Sequence, residues 1–216
     1  MPVWRGSVVR EYVEAIGIAL LLALFIRTFM IQAFKIPSGS MIPTLLIGDH
    51  LIVNKAVYGF EIPFTYRKFL PYRTPKRGEI IVFRYPNDPT KDYIKRVVGI
   101  PGDRIEMRQK RLYINGEEIP LERLGPAPEF DAVLYEENLD GHKHKVLFSN
   151  PSPSLGDNFS VVVPENKYFC MGDNRDRSND SRIWGFVDFH FIRGKAMIIY
   201  FSWPPTQWTR IFHLTR

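Results

Sequence analysis

The segment Ala15–Phe34, "AIGIALLLALFIRTFMIQAF", constrains this chain more than any other, because only Arg27 and Gln32 in it are strongly polar. Wound as a helix, a stretch of this length spans about 30 Å, the thickness of a hydrocarbon core. The charge-free run is shorter, Ala15–Ile26, and alone would suit a core helix or the apolar region of a signal peptide. Arg27 can snorkel its guanidinium to the far interface and so lengthen the usable span. A cleaved leader is the rival reading. Against it, small residues are sparse where cleavage would fall, and the apolar run continues through Phe29, Met30 and Ile31. The expectation is a retained single-pass anchor over residues 15–34, preceded by a short tail, 1–14. Arg5, Arg10 and the α-amine favour a cytoplasmic tail, against the pull of Arg27 and Lys35 on the other flank.

Beyond the anchor no helical period is sustained. "DHLIVNKAVYGF", "GEIIVFRYP", "DYIKRVVGI", "FSVVVPENKYFCMGD" and "GKAMIIYFSW" are short β-branched or aromatic runs, punctuated by Gly, Pro, Asn and Asp. "YINGEEI" carries the Asn-Gly signal of a tight hairpin. The soluble part therefore reads as mainly β. From Leu121 to Asn158 the chain is polar and weakly patterned, which marks an inserted, smaller β lobe. Its bounds are set at 105–158, between catalytic-domain segments 35–104 and 159–216. The net charge of +6 suits an anionic membrane surface or a nucleic acid equally well. No basic cluster is interleaved with aromatics, and no zinc-type spacing exists, so neither nucleic acid, metal nor cofactor is expected. A single cysteine, Cys170 between Phe169 and Met171, excludes an internal disulfide and reads as a small buried apolar residue.

Chemistry first points to "KIPSGSMIPTLLIGDHLIVNK", Lys35–Lys55. Ser40 sits between Gly39 and Met41, with Pro37 and Pro43 stiffening either side. A nucleophile needs such an exposed hydroxyl on a rigid turn, with a backbone N–H near the developing oxyanion. Most serines in strings like this only make turns. A histidine base is poorly supported. His50 alternates with apolar residues on a strand, His142 and His144 fall in the insert, and His190 and His213 lack an acidic partner pattern. Lys95 interrupts the apolar strand "DYIKRVVGI", and either points to water or is buried among apolar groups that depress its pKa towards neutrality. "GDNRDRSNDSRIWG", Gly172–Gly185, is either a solvated loop of Asx turns or something more; it lacks the spacing of an EF-hand.

Taken together and in this order behind an anchor, three of these stretches resemble the bacterial type I signal peptidases, also called leader peptidases. "PSGSMIPTL" is similar to that family's nucleophile motif, "DYIKRVVGIPGD" to its lysine motif and "GDNRDRSNDSRIWG" to its C-terminal signature. "PKRGEIIVFRYPNDP" matches the strand leading into the lysine motif, and the resemblance covers roughly residues 29–103 and 161–201. It implies a single transmembrane helix followed by a twisted antiparallel β-sheet catalytic domain, on the extracytoplasmic face of the bacterial inner membrane. The implied substrates are exported precursors bearing signal peptides, cut after an Ala-x-Ala site. By the same resemblance Ser40 is the nucleophile and Lys95 the general base. Ser38 and the Ser40 N–H form the oxyanion hole, and Ser178 orients the lysine. Asp173, Asp180, Arg182 and Arg96 form a supporting ion-pair scaffold. Phe34, Ile36, Met41, Leu45, Val82, Tyr93 and Ile94 line the pockets for small substrate residues. One departure is Arg177, which stands where the family usually has Asn. The competing expectations are the same chemistry on a few dedicated precursors, such as pilus or conjugation proteins, and a non-catalytic anchored export adaptor. The C-terminal "YFSWPPTQWTRIF", with Trp203 and Trp208, either packs or dips into the membrane interface.

Overall fold

The computed structural model describes residues 4–62, 65, 68–69, 71, 73–149, 158–203, 210–212 and 215, with side chains from Val8 onward. Trp208 and His213 lie outside the described residues. Helix α1 (Trp4–Phe25) passes into a π-helical stretch, Ile26–Met30. Its side chains from Val9 to Phe25 are almost all exposed, apolar ones included, as suits a helix whose solvent is lipid. The segment Val8–Met30 is long and apolar enough to cross a membrane. The expected span of 15–34 differs at both ends. The helix starts well before Ala15, and Ile31–Lys35 is a strand, β1, not helix. β1 is drawn into the sheet by antiparallel pairing with the next strand, with Phe34 opposite Leu51.

The rest is β. The chain continues through β2 (Asp49–Asn54), the short β3 (Phe60–Glu61) and β4 (Lys68–Phe69), then β5 (Ile80–Tyr85) and β6 (Asp88–Gly99). Next come β7 (Arg104–Arg108), β8 (Arg111–Ile114), β9 (Glu117–Glu118), β10 (Leu121–Ala127), β11 (Ala132–Leu139), β12 (His142–Ser149) and β13 (Phe159–Val162). β14 (Lys167–Met171), the one-turn helix α2 (Ser181–Trp184), β15 (Val187–Asp188) and β16 (Ile192–Ser202) complete it. The main sheet has seven strands in the order β1-β2-β16-β5-β6-β14-β15, with every neighbour pair antiparallel. β5 is buried on both faces, and its residues divide by the period of two. Ile80 and Val82 join Leu51, Val53 and Ile199 on one side, while Ile81 and Phe83 join Val97 and Ile192 on the other.

The inserted region forms two small sheets. β7 to β9 pair with β13 in a four-stranded sheet, and the Asn-Gly turn appears between β8 and β9 with both residues at positive φ, 55° and 87°. β10, β11 and β12 form a three-stranded antiparallel meander. This meander is tied to the main domain. Leu147 N–H on β12 donates to the Asp173 carbonyl at 2.8 Å, and Leu147 bridges Asn174 in parallel pairing.

Candidate active site

Ser40 lies on the connection from β1 to β2, in a single 3-10 turn, Gly39–Met41. At the second position of such a turn the N–H has no partner within the turn and is available to a ligand. Ser38, the residue before the turn, is extended and exposed. The turn is held from outside by the loop after β14. Asn174 N–H donates to the Ser40 carbonyl at 3.1 Å, and Asn174 Nδ2 donates to the Gly39 carbonyl at 3.1 Å.

Lys95 arrives from β6. Alternation puts it on the same face as Tyr93 and opposite Ile81 on β5, while Ile94 and Arg96 turn to the other face. Only 4% of the lysine is exposed, so the water-facing alternative fails. Its Nζ lies 2.6 Å from Ser40 Oγ and 3.0 Å from the Ile94 carbonyl. Burial pushes its pKa down from 10.5 to about 8, against the opposing pull of the Asp180 and Asp173 carboxylates. A fraction of the amine is thus neutral near pH 7, as a base requires.

Two buried ion pairs frame this couple. Arg96 grips Asp173 with two hydrogen bonds, Nε–Oδ1 at 2.8 Å and Nη2–Oδ2 at 2.7 Å, and donates a third to the Gly78 carbonyl at 2.7 Å. Thr44 donates to the same carboxylate. Burial alone would raise the Asp173 pKa; the Arg96 charge and hydrogen bonds hold it below the usual carboxylate range. Arg182 pairs with Asp180 in the same fork, at 2.8 Å for each bond, and Asp180 also accepts from the Gly172 N–H at 3.0 Å. Asp180 is likewise held low, its burial outweighed by Arg182. Ser178 is buried beside Asp180, and its hydroxyl makes no hydrogen bond to the Lys95 amine.

A cleft of about 560 Å³ opens over the pair, bordered by Ser38, Gly39, Ser40 and Ile42, by Asp92–Lys95, and by Asn174, Arg177 and Asn179. Of the residues expected to line substrate pockets, Tyr93 and Ile94 border this cleft. Ile36, Met41, Leu45 and Val82 pack with Ile94 in the core behind it, with half-buried Phe34 against them. They do so because β1 and the serine turn fold their apolar faces onto the sheet. His50 is a packed residue, its ring 5.9 Å and 5.5 Å from those of Tyr200 and Phe201. Cys170 is fully buried, and burial pushes its thiol pKa up, so it stays protonated. Among the described residues no cluster of His, Cys, Asp and Glu could hold a metal ion.

Three contributors were not anticipated. Asn174 belonged to the signature but had no assigned part. Gly172 lies so close to the serine that a Cβ there would fall 2.4 Å from the Ser40 carbonyl oxygen and 2.3 Å from Ser178 Oγ. Glu137, in the insert, makes a two-point ion pair with Arg175, with Nη1–Oε1 at 2.6 Å, and carries no local signal in the sequence. Arg177, the departure from the family pattern, reaches Asp131 of the insert at 3.2 Å.

An N-terminal apolar helix, an antiparallel β domain and a serine hydroxyl within hydrogen-bond reach of a buried lysine define a membrane-anchored hydrolase of β architecture. Residues 9–203 match the family "Signal peptidase, peptidase S26", and the chain belongs to that family of peptidases. It is 38% identical to signal peptidase I of Pseudomonas aeruginosa and 40% identical to that of Pseudomonas fluorescens, in each case over 95% of this chain and 77% of the relative. Identity to signal peptidase I of Aquifex aeolicus is 37%, over 89% of this chain and 84% of that one. A solved signal peptidase I from Enterococcus faecalis is 30% identical, covering 57% of this chain and 97% of that one, with a TM-score of 0.39.

Proposed function

We propose that this peptidase removes signal peptides from exported precursors by a Ser40–Lys95 mechanism, cutting after a small residue in an Ala-x-Ala site. The observation that carries the reading is the 2.6 Å approach of Lys95 Nζ to Ser40 Oγ with the lysine buried and its pKa depressed. Neutral Lys95 takes the Ser40 proton as Oγ attacks the scissile carbonyl. The oxyanion is met by the Ser40 N–H and the Ser38 hydroxyl. The Lys95 ammonium then protonates the departing amine, which leaves the acyl group on Ser40. Lys95, neutral again, deprotonates a water that attacks the acyl carbon. Collapse returns the proton to Ser40 Oγ and frees the signal peptide.

A lysine base needs no carboxylate to set a tautomer; it needs a dry surrounding, and rotation of the Ser178 hydroxyl towards Nζ would steady it. The β domain that begins at β1 carries the site and is held on the extracytoplasmic face of the inner membrane by the apolar segment Val8–Met30, with the N-terminal end of the helix towards the cytoplasm. Tyr93 and Ile94 floor the substrate cleft. Outward rotation of Phe34, Met41 or Leu45 would open the small pockets that Ile36 and Val82 back.

The test is cleavage of a purified Ala-x-Ala precursor in detergent. Parent protein should cut after the final Ala, and Ser40→Ala and Lys95→Met should not. Retained cutting by Lys95→Met would discard the lysine base, and no cutting of several precursors by folded parent would point to dedicated substrates or an adaptor.

A further inference from the structure

The loop that follows β14 is not held by its own residues alone. Arg175, 1% exposed, reaches the insert, where both its terminal nitrogens meet the Glu137 carboxylate on β11. Glu137 is equally buried, and His144 Nε2 on β12 stands 3.2 Å from its Oε2. The Arg175 carbonyl accepts from Arg182 Nη2, the nitrogen that also holds Asp180. Asp180 in turn holds the Gly172 N–H, against which Ser40 and Ser178 pack. A chain of charge-assisted bonds therefore runs from the insert to the walls of the Lys95 site.

We propose that Glu137 is a positioning residue for the peptidase reaction: by binding Arg175 it keeps that cation off Asp173 and Asp180 and so fixes both the loop and the field at Lys95. This rests on the Ser40–Lys95 reading. The groups facing Glu137 are Arg175 and His144; those facing Arg175 are Glu137, Asp173 and Asp180. The groups around Lys95 are Asp180, Asp173, Arg182 and the protonated Cys170. His144 also faces Asp173, which Arg96 holds. Without the Glu137 charge, Arg175 has two courses. It stays as an uncompensated buried cation, or it turns to Asp173 or Asp180 and neutralises a carboxylate that favours protonated Lys95. Both act in one direction, making the lysine easier to deprotonate.

The experiment is the pH dependence of kcat and kcat/KM for the full chain in detergent, with a peptide carrying an Ala-x-Ala site. Glu137→Gln should lower kcat at least about tenfold with KM within roughly twofold, and move the acidic limb of kcat/KM down by about half a pH unit or more. Glu137→Asp, which keeps the charge, should return the limb towards the parent's. A limb that stays in place, or moves up, in folded Glu137→Gln overturns the proposal. Should that variant not fold, the double variant Glu137→Met/Arg175→Met removes both charges and leaves no free cation. It should lose kcat with the limb unmoved, and a double variant with parental kcat overturns the proposal as well. Lys95→Met run alongside separates the failures. Activity there discards the lysine base itself, whereas a dead Lys95→Met with an unmoved Glu137→Gln limb discards only the part given to Glu137.

Discussion

Asn174 Nδ2 donates to the Gly39 carbonyl at 3.1 Å, joining two residues 135 positions apart. With the bond from Asn174 N–H to the Ser40 carbonyl, it makes the serine turn a guest of the C-terminal signature loop. Asn174→Ala leaves the Gly39 carbonyl without its partner, at about 1 kcal/mol of stability. The larger effect falls on geometry, since a turn loosened by a fraction of an ångström misplaces the Ser40 Oγ and its N–H together. Steady-state kinetics on an Ala-x-Ala peptide should show kcat lowered roughly 10- to 100-fold, with KM changed little.

Gly172 is a second constraint on the same turn, steric in kind. Its added Cβ would meet the Ser40 backbone carbonyl, which cannot swing aside as the end of a side chain can. Gly172→Ala should lower stability by about 1–3 kcal/mol and activity by more than that loss accounts for. Gly17 in α1 is the matched control, because a Cβ there meets no heavy atom within 4 Å. Gly17→Ala should leave cleavage at the parental value and cost no stability, since Ala suits a helix interior better than Gly, so thermal melts and turnover of the two variants side by side give the check.

How far the site was legible in the sequence follows from the range of its bonds. Ser40, Lys95 and Arg96 sit in short motifs with their own apolar context, and β5 and β6 announce themselves by β-branched runs. The end of the anchor did not, because "IQAF", with Gln32 its one polar residue, continues the apolar run of the helix before it. Pairing with β2 along its whole length, Ile31 opposite Asn54 to Lys35 opposite His50, makes it a strand. The pocket residues went a different way: Ile36, Met41, Leu45 and Val82 are apolar for a core as much as for a substrate, and one chain alone cannot divide the two uses. Glu137 was illegible for a third reason. A carboxylate among the polar residues of a hairpin looks solvated until the fold delivers Arg175 to it.

The Arg96–Asp173 pair predicts a contrast between breaking and replacing. Both side chains are 1% exposed, so Asp173→Asn leaves a buried guanidinium facing an amide, at about 3–5 kcal/mol of stability. The double variant Arg96→Met/Asp173→Leu should recover most of it, because two desolvated charges are lost together. Acid should act in the same direction as the single change. The Asp173 pKa is lowered on folding, so its contribution is present above the unfolded carboxylate pKa and fades as pH falls through the folded one. Denaturant unfolding of the parent from pH 7 downward should lose stability that the double variant, lacking the carboxylate, retains.

Lys95 shares that direction of pH dependence in a higher window, but at pH 7 it is a cost where Asp173 is a gain, and this separates its catalytic from its structural consequence. Its pKa falls from 10.5 unfolded to about 8 folded, so the unfolded chain binds more protons between those values and stability rises with pH across that window. Below pH 8 the folded protein bears the full cost of a buried ammonium, on the order of 3–4 kcal/mol. Lys95→Met should therefore be more stable than the parent at pH 7, and its advantage should shrink as pH climbs towards 10.5. Cleavage by the parent should rise through pH 8 over the same range, as the neutral amine becomes the major form. A residue kept at a stability cost that its removal relieves, with activity lost in the exchange, is held there for its chemistry. Melting curves of the two proteins at pH 7 and pH 10 read the difference directly, and an unchanged gap between them would count against a buried, titrating lysine.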